Sequence, residues 1–372
     1  MSPTHLLKQQ KRAIIQRYAK ADNVIAWAQV TTTLGAIGLL WWAAVALAEF
    51  SYWAALPIAI PMSLFTLRIL VLMHECGHGS LFGTRALNRT LGFVFGVVSG
   101  MPQYVWSQHH DFHHTHNGNW EKYRGPLTTP SVEEFDAMTS AQRKSYEQTR
   151  SIAVAPFGGF FYLLFNPRFT WIKGTLDFLI YVIKRKAAEP NLSLREHADT
   201  FRTRYWKCRT EYWHMFWNNL VLIGCWIGMS SLIGASLFFP IYIVSVSLAG
   251  GAGIMLFTVQ HNFEHAYASD TESWDYDIGA MRGTSFLVLP RWLNWFTANI
   301  AYHHVHHLSA KIPNYRLAAC HNENEPLFAE VRRVKLRDIP SALKCLLWDA
   351  RAQQIISFAE YREQRSPLRA QQ

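Results

Sequence analysis

The chain has 372 residues, half of them hydrophobic, and a formal net charge of +10 at pH 7. This length would allow two or three soluble domains, but no Asp, Glu, Lys or Arg occurs from residue 212 to residue 263, which favours a membrane protein. The excess of basic residues fits anionic lipid head groups or an acidic protein partner. Nucleic acid is the weaker alternative, because the sequence contains no nucleic-acid-binding motif.

Long uncharged stretches predict four membrane-spanning helices. A bilayer core about 30 Å thick requires roughly 20 apolar residues of helix, and each stretch is long enough to cross once. The predicted spans cover about residues 24–48, 52–73, 213–235 and 239–260. They form two hairpins, which turn near Glu49 and Ser51 and between Gly234 and Pro240.

The distribution of basic residues predicts the orientation of these spans. Several Lys and Arg residues precede the first span, whereas neither turn between paired spans carries any. By the positive-inside rule, the N-terminus, the segment between the hairpins and the C-terminal tail lie in the cytoplasm. We also expect no disulfides, because the five cysteines are scattered and most of them lie on this reducing side.

Three segments outside the spans have distinct patterns. Residues 91–105 are apolar, and we expect an interfacial or re-entrant helix, packed closely on a neighbour through its glycines. Residues 151–190 are amphipathic and predict a helix that lies on the membrane. Residues 331–372 alternate basic and apolar residues, and we predict a helical cytoplasmic tail.

Histidines are concentrated in two windows, which hold thirteen of the seventeen in the chain. Four groups show spacings of three or four residues, which place side chains on one helix face. These groups are His74 and His78; His110, His113 and His114; His261 and His265; and His303, His306 and His307. Because a mononuclear site uses only three or four protein donors, so many imidazoles indicate two metals.

The other seven histidines are not interpreted as metal ligands. Histidines outside the four groups are interpreted as solvated or core residues: His5, His197, His214 and His321. Three more lie inside the motifs but break the spacing, and we interpret them as supporting or structural: His109, His116 and His304.

The type of donor limits which metals the site could bind but does not identify one. Imidazole suits iron, copper, zinc and nickel, whereas Cys76 is the single cysteine within the motifs, which is too few for an iron–sulfur or thiolate site. Glu75, Asp111 and Glu264 lie within the motifs, and we interpret them as acceptors that fix imidazole tautomers. Direct ligation by these carboxylates is the alternative.

The predicted fold class is therefore all-α. It is a polytopic membrane protein with four transmembrane helices in two hairpins and a cytoplasmic helical cap that holds a histidine-rich dimetal site. Arg68 lies inside the second predicted span, where it either snorkels to the interface or faces the bundle interior.

Three short motifs resemble the histidine boxes of membrane-bound fatty acid desaturases. They are HECGH at 74–78, HDFHH at 110–114 and HHVHH at 303–307. The flanking segments, including VQHNFEHAY at 259–267, are similar to the bacterial acyl-lipid branch, which is called omega-6 or Δ12-like. The resemblance covers about residues 24–320, so we interpret residues 1–330 as the desaturase domain.

This resemblance implies a non-haem di-iron centre with two Fe ions. Such a centre uses O2 as co-substrate and two electrons to introduce a cis double bond into acyl chains of membrane lipids. The ligands it implies are His74, His78, His110, His113, His114, His303, His306 and His307. One further ligand comes from the end of the fourth span, where the resemblance leaves both His261 and His265 open.

The resemblance also implies partners and a location. The chain shows no GxGxxG after a strand and no fused haem domain, so electrons come from a separate donor, ferredoxin-like or another acidic protein. We expect a bacterial cytoplasmic (inner) membrane protein, with both termini and the active site on the cytoplasmic side. Aromatic residues before the last box are candidate walls of an acyl groove: Trp292, Trp295, Phe296 and Tyr302. The alternative interpretation is that they are ordinary interfacial aromatic residues.

Two alternatives remain open at the level of sequence. A related di-iron hydroxylase, ketolase or alkane monooxygenase would use nearly the same ligands, although the flanking segments favour desaturation. A haem-binding electron carrier or a metal transporter would place histidines or carboxylates well inside the spans, and here the spans are nearly free of them.

Overall fold

The computed structural model describes residues 3–125 and 128–369, and most of the described chain is helical. The helices up to residue 116 are α1 (Pro3–Tyr18), α2 (Asn23–Phe50), α3 (Tyr52–Ala55), α4 (Ala59–His78), α5 (Arg85–Ser99) and α6 (Gln103–His116). A second series follows: α7 (Val132–Ala137), α8 (Ser140–Thr149), α9 (Ala155–Phe160), α10 (Asn166–Ala188), α11 (Leu194–Thr200), α12 (Arg209–Ile233) and α13 (Ala235–His261).

The C-terminal third contains both helices and strands. In chain order these are α14 (Tyr276–Arg282), β1 (Ser285–Val288), α15 (Arg291–Phe296), α16 (His303–Leu308), α17 (Asn314–Glu323), β2 (Arg332–Lys335), α18 (Ile339–Ala342), β3 (Cys345–Asp349), β4 (Gln354–Ser357) and α19 (Phe358–Arg369). Strand β1 pairs with β2 in parallel, and β3 pairs with β4 in antiparallel orientation.

Within the described residues, four helical stretches are long and apolar enough to cross a membrane. They are Asn23–Phe50, Tyr52–His78, Arg209–Ile233 and Ala235–His261. They agree with the four predicted spans, and the second and fourth run on to His78 and His261. The protein is therefore a membrane protein.

The predicted turn between Gly234 and Pro240 is shorter than expected. Only Gly234 leaves the helix, with φ +85°, and Pro240 lies inside α13. Proline has no N–H and cannot bond the carbonyl four residues earlier, and the Tyr52 hydroxyl donates to that carbonyl, on Ser236, at 3.0 Å. This bond also places the two turns between paired spans next to each other.

The segment predicted to be interfacial or re-entrant forms α5 and the turn into α6. With 15 residues, α5 is shorter than the roughly 20 residues that a span requires. A Cβ atom added at Gly96 would lie 2.5 Å from the Met101 carbonyl oxygen, and one at Gly92 would lie 3.0 Å from the Cys76 Cβ. The glycines therefore allow α5 to pack tightly on α4 and on the turn that leads to α6.

Helix α10 carries an exposed apolar stripe. Its members recur at spacings of three and four residues: Phe169, Ile172, Leu176, Leu179, Ile180 and Ile183. In a water-soluble protein such a stripe would face a core. Its exposure here fits contact with lipid.

The prediction of an all-α fold with a helical tail is wrong for the C-terminal region. The short apolar runs in CLLWD and QIIS form β3 and β4, and the helix α19 begins only after them, at Phe358. Leu347 and Ile356 are buried in a core cluster with Phe135, and Trp348 stacks on Trp120 at 4.7 Å. The strands thus attach the tail to the rest of the chain.

Candidate metal centre

Nine histidines from four helices converge into two buried groups. The first contains His74, His78, His110, His114 and His306, and the second contains His113, His261, His303 and His307. Within each group the candidate ligand atoms all lie within 4.8 Å of one another, and each of the nine residues is at most 8% exposed. The structure therefore brings together nine of the ten histidines selected from the sequence.

The HxxHH spacing determines how each box is shared between the groups. Residues four apart lie nearly above each other on a helix, whereas adjacent residues point about 100° apart. On α6, His110 and His114 accordingly face the first group and His113 faces the second. On α16 the pattern is reversed, with His303 and His307 in the second group, so both helices supply both groups.

Distances between ring nitrogens fit metal coordination. Nε2 of His114 lies 3.0 Å from Nε2 of both His110 and His306, although a neutral imidazole nitrogen has at most one proton to share. Nε2 of His303 lies 2.8 Å from Nε2 of His261. Metal–imidazole bonds of about 2.1 Å separate neighbouring ligand nitrogens by about 3.0–3.4 Å. The residues in each group therefore fit one metal ion.

Burial keeps these imidazoles in the form that binds metals. For the six that lie outside the spans, desolvation lowers the pKa below the usual value of 6.5, and the neighbouring imidazoles lower it further. They are His110, His113, His114, His303, His306 and His307. They are neutral at pH 7, with a lone pair available to a metal.

Hydrogen-bond acceptors orient three of the rings through Nδ1. His74 Nδ1 lies 3.1 Å from Glu75 Oε1, and His78 Nδ1 lies 3.4 Å from Asp111 Oδ1. His261 Nδ1 lies 3.2 Å from the carbonyl oxygen of Gly283, which sequence reasoning did not find because a backbone group leaves no signal in the sequence. A proton on Nδ1 leaves Nε2 free to coordinate.

Glu264 does not take the role that we predicted for it. Its side chain is 53% exposed and lies 3.8 Å from an arginine nitrogen of Arg332. The end of α13 explains this position, because the chain leaves the helix at Asn262 and turns away from the centre.

His265 is the one selected histidine that the structure does not bring to either group. Its side chain is 55% exposed, its Nδ1 lies 4.0 Å from Glu360 Oε1, and its φ is +63°. A spacing of four places two residues on one face only while the helix continues, and α13 ends at His261.

The remaining histidines lie outside both groups. His304, next to His303 of the second group, is fully buried, and its Nε2 lies 2.9 Å from Nδ1 of His321. Both rings pack on Phe328 at 5.0 and 5.7 Å, which is a core environment. His214 stacks on Tyr104 at 4.3 Å, away from the centre.

Three of the four aromatic residues proposed as groove walls pack on other aromatic rings. Trp295 and Phe296 pack on Phe65 at 5.9 and 5.1 Å, whereas Tyr302 stacks on Phe286 at 4.6 Å. A mainly apolar cavity of about 320 Å³ lies elsewhere, against α9 and the last turns of α13. Its lining includes Phe157, Phe161, Ile254, Met255 and Thr258.

The apolar helices and the paired histidine groups define a membrane protein that is able to hold metal ions. Residues 51–337 match the family model described as fatty acid desaturase. The chain therefore belongs to the fatty acid desaturase family, and it is a desaturase, an oxidoreductase that acts on fatty acids. This assignment disfavours the haem carrier and the metal transporter.

Similar proteins carry the same activity in their names. A fatty acid desaturase of Bacillus subtilis is 29% identical over 92% of this chain and 89% of its own length. An sn-1 oleoyl-lipid 12-desaturase of Anabaena variabilis is 22% identical over 86% of this chain and 82% of its own length. A chloroplastic sn-2 acyl-lipid omega-3 desaturase (ferredoxin) of Arabidopsis thaliana is 21% identical over 90% of this chain and 71% of its own.

Proposed function

We propose that this desaturase uses O2 and two irons, one held by each histidine group, to introduce a cis double bond into the acyl chains of membrane lipids. The observation that carries this proposal is the pair of buried groups that share α6 and α16. The first iron would be held by His74, His78, His110, His114 and His306. The second would be held by His113, His261, His303 and His307.

The bound metals would supply the oxidising power that side chains lack, since no acid or base of a protein breaks an unactivated C–H bond. The residues of the chain perform the other tasks. Burial of all nine imidazoles excludes water from the centre. The acceptors on His74, His78 and His261 hold the Nδ1 protons in place, so that each Nε2 points into its group.

Membrane lipids are the proposed source of the acyl chain. The centre includes residues at the ends of two spans, His78 and His261, so that an acyl chain could reach it from the bilayer. The names of the relatives from Anabaena and Arabidopsis refer to acyl lipids. The basic residues of α1 favour a cytoplasmic position for the N-terminus and the centre, in a bacterial inner membrane.

Replacing His306 by alanine tests the proposed ligands. We expect His306→Ala to abolish double-bond formation, because the first group loses a buried donor, while the protein still inserts into the membrane. The measurement is gas chromatography with mass spectrometry of fatty-acid methyl esters from an expressing host. His116→Ala is the matched control, because His116 lies on α6 outside both groups.

Near-normal product from His306→Ala would contradict the ligand assignment. An oxygenated product from the unmodified chain would instead favour a hydroxylase, since its mass differs from that of an unsaturated product.

Electrons are proposed to come from a separate acidic donor that docks on the basic cytoplasmic face. The net charge of +10 supports this proposal, and the printed name of the Arabidopsis relative contains ferredoxin. When the ionic strength rises from about 0.01 to 0.15 M, the Debye length falls from roughly 30 to 8 Å, so salt screens the attraction between donor and desaturase. The desaturation rate at a limiting donor concentration should therefore fall. A reconstituted rate that does not change with salt would count against this docking.

A further inference from the structure

Two charged side chains lie buried near the first histidine group without contacting each other in an ion pair. Arg68 on α4 is 2% exposed, and Glu75, seven residues later, is fully buried. Isolated buried charges are costly unless hydrogen bonds or opposite charges compensate them. The partners of these two side chains therefore indicate how the protein stabilises them.

The Glu75 carboxylate is fully engaged. Its Oε1 lies 3.1 Å from Nδ1 of His74, and its Oε2 accepts from the Ser80 hydroxyl at 2.9 Å. Oε2 also accepts from the backbone N–H of Asn314 at 2.9 Å, which belongs to the first turn of the ten-residue helix α17. The positive end of a helix favours a carboxylate at this position.

Asn314 continues the chain of hydrogen bonds away from the centre. Its side chain is fully buried and exchanges two bonds with the Gln29 side chain on α2. Asn314 Nδ2 donates to Gln29 Oε1 at 2.8 Å, and Gln29 Nε2 donates to Asn314 Oδ1 at 3.3 Å. The paired amides fix each other's orientation, since each side chain both donates and accepts.

Arg68 is bonded to the same Gln29 amide and is the last member of this hydrogen-bond network. Its Nη2 donates to Gln29 Oε1 at 3.0 Å, its Nε donates to Thr33 at 3.0 Å, and its Nη1 donates to the Trp295 carbonyl. The Trp295 ring lies 4.0 Å from the guanidinium carbon and adds a cation–π contact. Arg68 thus faces the bundle interior, the second of the two positions expected from the sequence.

We propose that Arg68, Gln29 and Asn314 are positioning residues that act on His74 through Glu75; we call the five residues the Arg68–His74 relay. The guanidinium and the amide pair hold the Glu75 carboxylate in one place, and the carboxylate holds the His74 ring so that Nε2 points into the first group. The relay ends on the first group, whereas His261 in the second group is oriented by the Gly283 carbonyl. This inference rests on the proposed two-iron centre and predicts that the relay affects one iron only.

The main test replaces Gln29 by leucine in the full-length protein, purified in detergent. Gln29→Leu removes three hydrogen bonds of the relay at similar side-chain volume. Anaerobic titration with Fe(II), together with Mössbauer spectra of 57Fe-loaded protein, measures the occupancy of each iron. We expect one iron to bind about 10- to 100-fold more weakly, as is typical when a group that supports a ligand is lost, and the other iron to bind as before.

Two further variants separate positioning from general stability. Asn88→Leu removes a buried amide that bonds only to the backbone of Phe82 and Thr84, and both irons should bind as in the unmodified protein. Gln29→Glu keeps an acceptor for Arg68 and for Asn314 Nδ2 but loses the donor to Asn314 Oδ1, so we expect a smaller loss of affinity at the same iron than in Gln29→Leu. If Gln29→Leu does not accumulate, Asn314→Asp places a carboxylate oxygen against Gln29 Oε1 and should weaken the same single iron.

The outcomes distinguish this inference from the proposed function. An unmodified protein that binds fewer than two irons would overturn the two-iron proposal and this inference together. Two irons in the unmodified protein, with either unchanged binding or equal loss of both irons in Gln29→Leu, would overturn this inference alone.

Discussion

In the proposed metal centre, each imidazole has to present one nitrogen to a metal and keep its ring from rotating. Three different kinds of acceptor meet this need for three rings: a neighbouring glutamate for His74, an aspartate on another helix for His78, and a backbone carbonyl for His261. The orientation of these three imidazoles therefore depends on acceptors that lie outside the two histidine groups.

The pair His261 and His265 gives a direct prediction at this scale. We expect His261→Ala to lose iron from the second group and to lose activity, because a buried donor is removed from a group of four. His265→Ala should retain both, since that side chain is exposed. Iron content per chain and methyl-ester analysis of both variants check this. Loss of iron in His265→Ala alone would reverse the assignment.

For single residues, the sequence correctly predicted which histidines lie together wherever the helix that carries them continues through the motif. The spacing of three and four within 110–114 and 303–307 selected imidazoles that the structure brings together. It could not separate His261 from His265, because the position at which α13 ends depends on tertiary contacts. It also could not show the Gly283 carbonyl or the partnership of Asn314 with Gln29, which join distant parts of the chain.

At the scale of elements, the crossing of α9 and α13 brings two backbones unusually close. A Cβ atom at Gly159 would lie 2.4 Å from the Gly251 nitrogen and 2.5 Å from the Ser247 oxygen. Backbone atoms cannot move aside as the end of a side chain can. Glycine is therefore required at this crossing, which lies about three to four turns before His261 on α13.

Alanine substitution tests this crossing. We expect Gly159→Ala to lower the free energy of unfolding by about 1–3 kcal/mol, which is the usual cost of overpacking. Gly253→Ala is the matched control on α13, because a Cβ there meets nothing within 4 Å. Thermal unfolding in detergent compares the two. Equal midpoints for both variants would show that the helices can separate at little cost.

The spans and the strands differ in how far the sequence predicts them. A span is local, because one uncharged stretch of sufficient length determines it. Strand β1 instead pairs with β2, where Ser285 lies opposite Arg332, and each strand has only four residues. Such short strands depend on contacts distant in sequence, so the pattern of the tail was mistaken for a helix.

For the whole molecule, burial of so many imidazoles makes the metal-free protein sensitive to acid. In the folded state the pKa of the six histidines outside the spans lies below 6.5, whereas unfolding restores it to about 6.5. Below about pH 6.5 the unfolded chain binds more protons than the folded chain does, so the free energy of unfolding decreases as the pH falls.

The expected result is a lower thermal midpoint of iron-free protein at pH 5.5 than at pH 7.5. Each such histidine contributes up to about 1.4 kcal/mol per pH unit within this window. His307→Ala should make the dependence shallower, because it removes one of the six histidines whose pKa is lowered by burial. A midpoint that rises on acidification would contradict this account.

The position of the third histidine box in the chain has a consequence for biosynthesis. Translation proceeds from the N-terminus, and His303 is made 42 residues after His261, the last residue of the fourth span. Both groups remain incomplete until α16 has left the ribosome, since each includes residues of that helix. In the proposed two-iron centre, the metal sites would therefore be complete only after all four spans have been synthesised, and a nascent chain arrested before residue 303 would carry every span but no finished centre.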